Sequence, residues 1–106
     1  MPSEITPREL AAWRASGRPL VVVDVRTPEE WAFGVLDGAL KLPLHELPQR
    51  AGELDRQAEI VAYCHLGVRS LYAAQWLRDA GFDRAWSLRG GTEAWSLEVD
   101  PALARY

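Results

Sequence analysis

The chain has one cysteine, Cys64, and one lysine, Lys41, in 106 residues. A lone cysteine excludes an internal disulfide and any zinc site built on thiolates, and it leaves no second thiol to resolve the first. No apolar run approaches the roughly 20 residues that a membrane-spanning helix needs. The opening segment, Met1 to Thr6, lacks the charged-then-apolar pattern of a signal peptide. There is no basic field either: a formal net charge of −3 argues against nucleic-acid binding. Repeats, linkers and low-complexity tracts are absent. These absences predict a cytoplasmic protein with no membrane or nucleic-acid partner, no metal and no cofactor.

What is present is ordinary for a globular chain, with 48% hydrophobic and 25% charged residues. The length suits one domain, 1–106, with a modest core. Thr6-Pro7-Arg8-Glu9 reads as a capping box with proline at the first helical position, and Gly17 ends that helix. Leu10, Trp13 and Ala11 are its inward candidates. Leu20-Val21-Val22-Val23 is apolar on both faces, as a central strand of a parallel sheet is, and it closes at Asp24. Thr27-Pro28-Glu29-Glu30 repeats the capping design and starts a short helix through Trp31 to Phe33. Glu29 and Glu30 suit a helix N-terminus without any acid–base role. Asp24 and Arg26 read as a brace at this corner.

Ala39-Leu40-Lys41-Leu42 is a further short strand, ended by Pro43. The prolines, Gly52 and scattered leucines between Leu44 and Leu54 predict a short or broken helix. His45 receives no role. Arg84-Ala85-Trp86-Ser87-Leu88 is the last strand, and Gly90-Gly91 allow a close turn into a helix through Ala94-Trp95. The tail from Glu98 to Tyr106 reads as irregular and without a clear partner. Strands alternating with helices imply an α/β sandwich on a mostly parallel sheet.

The centre of this arrangement is Glu59 to Ser70. Ile60-Val61-Ala62-Tyr63 is a short buried strand; Cys64 follows, then a turn around Gly67, then helical periodicity through Leu77 that Gly81 stops. The thiol therefore stands between the C-terminal end of a strand and the N-terminus of a helix, the edge where open α/β sheets bind ligands. Inward backbone N–H groups, the helix dipole and Arg69 would stabilise an anion on or near sulfur. A small buried hydrophobe is the plainer reading of a free cysteine. The glycine turn, arginine and helix beside Cys64 favour reactivity. Ser70 is expected to help cap the helix.

Cys64-His65-Leu66-Gly67-Val68-Arg69-Ser70 resembles the active-site loop, Cys-x-x-Gly-x-Arg-Ser, of the rhodanese family of single-domain sulfurtransferases. Asp24 to Trp31 resembles that family's first motif, and Gly34-Val35-Leu36-Asp37-Gly38-Ala39 its Gly-His-Ile-x-Gly-Ala segment. Ala80-Gly81-Phe82 and Leu88 to Trp95 resemble its closing motifs. The match spans about residues 5–96, leaving 97–106 as a C-terminal tail. Val35 departs from it, standing where the family usually has histidine.

The resemblance implies a three-layer sandwich with a five-stranded sheet whose short first strand lies near Glu4-Ile5. It also implies sulfur transfer from thiosulfate or a related donor, through a Cys64 persulfide, to a thiol, cyanide or protein acceptor. His65, Leu66, Gly67, Val68 and Arg69 would bind the substrate, with the N–H groups of residues 65 to 69 around the terminal sulfur. Arg69 would hold an anionic donor, brace the loop, or both. His65 would act on donor or thiol, or stand as an exposed loop side chain. Two other readings exist. Related phosphatases and arsenate reductases place five residues between cysteine and arginine; this chain has four, His65 to Val68, a ring suited to one sulfur atom. A non-catalytic partner-binding module is the other, although inactive members typically lack the cysteine that this chain keeps.

Overall fold

The computed structural model describes residues 3–106. Five strands form one sheet in the order β1-β5-β4-β2-β3, with every neighbouring pair parallel. They are β1 (Glu4–Ile5), β2 (Val21–Asp24), β3 (Leu40–Lys41), β4 (Ile60–Tyr63) and β5 (Ala85–Leu88). The helices are α1 (Pro7–Ala15), α2 (Pro28–Trp31), α3 (Leu47–Arg50), α4 (Val68–Asp79) and α5 (Gly91–Glu98). This is the expected α/β sandwich on a five-stranded parallel sheet.

Strand parity builds the layers. Side chains alternate across a strand, so Ile60, Ala62 and Cys64 enter the core shared with Ala73 and Leu77 of α4 and Leu47 of α3. Val61 and Tyr63 enter the opposite core, with Leu10 of α1 and Trp95 of α5. Both faces of β4 are thus covered, and none of Ile60 to Tyr63 reaches solvent. The same alternation places the Cys64 side chain on the α4 side of the sheet.

Local chemistry sets the helix starts. Thr6 Oγ1 accepts the Glu9 N–H at 3.1 Å while Glu9 accepts the Thr6 N–H at 2.8 Å, so the capping box is formed. At α2 Glu30 Oε1 accepts both the N–H and the hydroxyl of Thr27 at 3.2 Å, while the Glu30 N–H donates to the Thr27 carbonyl at 3.0 Å. Leu44 to Glu53 is a 3-10 turn, the four-residue α3 and a second 3-10 turn, the broken helix that the sequence predicts. Gly81, at φ 99°, sits just past the end of α4 as a helix-stopping glycine does. The last helix runs on to Glu98, beyond the expected end near Trp95, because Trp95 and Ser96 are buried and hold its second turn to the core.

The tail requires a correction. Residues 99–106 form no regular element, as expected, yet they have partners. Leu103 packs against the α1/α5 core and its carbonyl accepts the Ser96 hydroxyl at 2.8 Å. Arg105 pairs with Glu93, and Tyr106 reaches the corner between β2 and α2. Sequence periodicity misses such contacts because single side chains make them, not a repeating face. Among the described residues no helix is long and apolar enough to cross a membrane.

Candidate active site

Cys64 lies just beyond the C-terminal end of β4, 1% exposed. The chain turns at Gly67, whose φ of 98° is open to glycine at little cost. Space enforces the same choice: a side-chain carbon at Gly67 would come within 2.9 Å of the Gly90 backbone nitrogen. The turn brings the start of α4 back over the sulfur. The Gly67 N–H donates to Cys64 Sγ at 3.1 Å and the Ser70 N–H at 3.4 Å. The sulfur is also 3.4 Å from Ser70 Oγ, which pairs with Ser87 Oγ of β5 at 2.8 Å.

Ser70 does not cap the helix. Gly67 occupies the cap position, and Ser70, three residues into the chain beyond it, turns its hydroxyl inward to the Cys64–Ser87 pair. A hydroxyl between thiol and serine can accept from S–H and, once sulfur is ionised, donate to it. With the first-turn N–H groups of α4 lacking intrahelical acceptors, the surroundings of Sγ are donors aimed at a negative charge.

A second helix fixes the loop from outside. The Thr92 N–H donates to the Cys64 carbonyl at 2.9 Å and the Glu93 N–H to the His65 carbonyl at 3.1 Å. The N-terminus of α5 thereby satisfies two carbonyls that would otherwise be free to turn toward the sulfur.

The side chains of the loop divide. Leu66 and Val68 are exposed, at 59% and 64%, and with His65 and Arg69 they rim a small mouth of about 140 Å³ that reaches Cys64. His65 is half-buried, its ring stacked on Tyr106 at 3.9 Å with 13° between planes. Its Nε2 is buried with no hydrogen-bond partner among the described residues.

Arg69 does not point freely into the mouth. It grips Glu30 with Nη1–Oε1 at 2.6 Å and Nη2–Oε2 at 3.0 Å. Glu30 therefore does more than begin α2, as the sequence suggests; it anchors the loop. Behind it, Arg26 is fully buried against Asp24, with Nη2–Oδ2 at 2.7 Å, and donates to the Gly34 carbonyl and the Tyr106 hydroxyl. This is the brace expected of Asp24 and Arg26. Val35, which the resemblance sets against a histidine, is half-buried. Among the described residues no three His, Cys, Asp or Glu side chains gather as metal ligands.

Arg69, and after it the Tyr106 hydroxyl, hold the Glu30 carboxyl far below the usual carboxylate range despite its burial, and Glu30 pushes Arg69 up. A depressed folded-state value stabilises the fold fully above the unfolded carboxylate value of about 4.3 and loses that contribution as pH falls through the folded value. The stability gap between wild type and Glu30→Gln is therefore expected to stay constant from pH 7 to 5 and to close only in strong acid. Urea unfolding of both proteins across that range measures it; a gap that shrinks between pH 7 and 5 would show the pair to be weak.

Glu30, Ser87, Tyr106 and the α5 N-terminus belong to the site by geometry, and none lies in the loop. Only the Thr-Pro-Glu-Glu pattern gave Glu30 a signal in the sequence, and that signal read as capping.

Comparison with known proteins follows the fold. The family model that matches is the rhodanese-like domain, over residues 6–98. The chain is 41% identical over 106 residues to the probable adenylyltransferase/sulfurtransferase MoeZ of Mycobacterium tuberculosis, covering 98% of this chain and 27% of that protein. It thus spans about a quarter of that relative's length. A sulfurtransferase of Allochromatium vinosum is 38% identical over 104 residues, covering 98% of this chain and 97% of its own. The solved structure of the human single-domain sulfurtransferase TSTD1 superposes with a TM-score of 0.81 at 29% identity, covering 92% of this chain and 98% of that one.

Proposed function

The chain belongs to the rhodanese-like domain family, and from that membership we propose that it is a sulfurtransferase whose Cys64 carries sulfane sulfur. The observation that supports this most is the convergence of the Gly67 and Ser70 N–H groups on Cys64 Sγ, at the N-terminus of α4 and at the foot of an open mouth. Such donors can hold the terminal sulfur of a persulfide anion after reaction.

In the first half-reaction the Cys64 thiolate attacks the outer sulfur of a donor such as thiosulfate. A Cys64–sulfur bond forms, the donor's sulfur–sulfur bond breaks, and its electron pair leaves with sulfite. In the second, a thiolate, cyanide or the thiol of a protein acceptor attacks the outer sulfur, and the Cys64 thiolate leaves. This is a ping-pong cycle without redox change. His65, Leu66, Gly67, Val68 and Arg69 bind the substrate: the loop backbone supplies N–H groups, Leu66 and Val68 an apolar rim, and Arg69 a charge for anionic donors. Ser70, bonded to sulfur and Ser87, adds a hydroxyl that can follow the charge on sulfur through both halves.

Intact-mass measurement after exposure to thiosulfate tests the reading without presuming an acceptor. One added sulfur atom, removable by cyanide or dithiothreitol, is the expected result. Protein that stays unmodified with thiosulfate and with several other sulfane donors would overturn it.

A further inference from the structure

Tyr106 lies far from the reactive loop in sequence and against it in space. Its ring is held between two others, Phe33 at 4.5 Å and His65 at 3.9 Å, both nearly parallel to it. Its hydroxyl accepts from Arg26 Nη1 at 2.9 Å and donates to Glu30 Oε2 at 2.8 Å. That oxygen is the one that accepts from Arg69 Nη2.

We propose that Tyr106 is a positioning residue for the Cys64 loop: its hydroxyl governs how much of the Arg69 charge is left for an anion at the mouth, and its ring fixes the plane of His65. The proposal rests on reading Cys64 as the sulfur carrier. A relay of polar contacts leads to the mouth. Arg26, buried and paired with Asp24, polarises the Tyr106 hydroxyl from the oxygen side and makes it a stronger donor. The hydroxyl then shares Glu30 Oε2 with Arg69. Glu30 Oε1 is shared in turn among Arg69 and the Thr27 N–H and hydroxyl. Each added donor spreads the carboxylate's charge and weakens its hold on the guanidinium. Without the phenol oxygen, Oε2 would turn its whole charge to Arg69, and the mouth would attract anions less.

The ring acts separately. The imidazole Nε2 has no hydrogen-bond partner among the described residues, and the bond from Glu93 is to the His65 backbone. Stacking on Tyr106 is therefore the contact that sets the imidazole plane beside Cys64.

Alkylation of Cys64 in the full chain by iodoacetate, an anion, and by iodoacetamide, its neutral analogue, separates these effects. Tyr106→Phe keeps the stack and loses the hydroxyl. Its iodoacetate-to-iodoacetamide rate ratio is expected to fall about threefold, with the iodoacetamide rate within about twofold of wild type, as suits one charge-assisted bond. Tyr106→Leu should show the same fall in ratio and also a changed iodoacetamide rate, which Phe restores. With thiosulfate and cyanide, Tyr106→Phe should raise KM for thiosulfate about threefold and leave kcat within about twofold.

A ratio that is unchanged or higher in Tyr106→Phe would overturn the proposal, as would both rates moving in parallel, which is what mere loosening of the fold does. So would a Cys64 that neither reagent modifies, because the mouth would then not be open. A wild type that shows the expected ratios but takes no sulfur from any donor would instead defeat the sulfurtransferase reading, so the two failures are distinct.

Discussion

Cys64→Ser is expected to keep the fold and lose sulfur transfer completely. The substitution exchanges one small buried atom for another: a serine oxygen could still receive the Gly67 N–H and meet Ser70. Nothing around it clashes, and only the apolar contacts of Cys64 with its core neighbours are weakened. The chemistry has no such tolerance. A hydroxyl is essentially un-ionised near neutral pH, and oxygen does not form the persulfide on which both proposed half-reactions depend. A drop of at least about 10³-fold in thiosulfate-to-cyanide transfer is expected, the scale seen when a nucleophile is removed. Steady-state transfer rates, with urea unfolding as the control for structure, measure it. Retained transfer in the serine variant would place the sulfur-carrying group somewhere other than Cys64.

Gly91→Ala is expected to do as much harm from outside the loop. Gly91 has φ 58°, where an alanine costs about 1–2 kcal/mol. The larger effect is steric: an alanine methyl would lie on the carbonyl oxygens of Cys64 and His65. Those are the oxygens held by the Thr92 and Glu93 N–H groups, so relieving the clash means lifting α5 off the loop. Overpacking of this kind adds roughly 1–3 kcal/mol or more. A total of about 2–5 kcal/mol is a large share of the stability of a small domain. Whatever fraction stays folded should transfer sulfur poorly, because the two carbonyls would be free to rotate toward Sγ. Gly17→Ala is the control. It has a similar φ, 75°, with nothing within 4 Å, so it isolates the backbone penalty from the clash. Equal urea midpoints for the two variants would mean that the close approach at Gly91 matters little.

Much of the architecture was legible because it repeats a local rule. Thr6-Pro7-Arg8-Glu9 carries its capping box in four residues, and that box forms. Val21 to Val23 and Ile60 to Tyr63 are apolar on both faces, as strands covered on both sides must be, and they pair as neighbours. Cys64, Gly67 and Arg69 were found as one loop because a strand, a glycine and a helix start lie within a dozen residues.

What escaped the sequence has no local rule. Ser70 looked like a cap, but Gly67 takes that place, and the serine turns inward only because Ser87 waits on β5. Glu30 carried two assignments at once, and its position at a helix start concealed the second, its grip on Arg69. Tyr106 closes on Glu30 across 76 residues of separation, and Thr92 on the Cys64 carbonyl across 28, distances at which neither spacing nor composition carries information.

The docking of α5 on the Cys64 and His65 carbonyls also orders events in time. β4 and α4 precede β5 and α5 in the chain, so the Cys64 loop is synthesised before the helix that pins it. Among the described residues β1 has only β5 as a sheet partner, and it waits for the same later residues. Domains fold as units while synthesis proceeds from the N-terminal side. Here the unit closes only when its last strand and helix arrive. The donors to sulfur come from the loop and α4 themselves, but the two carbonyls beside them are held only once β5 and α5 have docked.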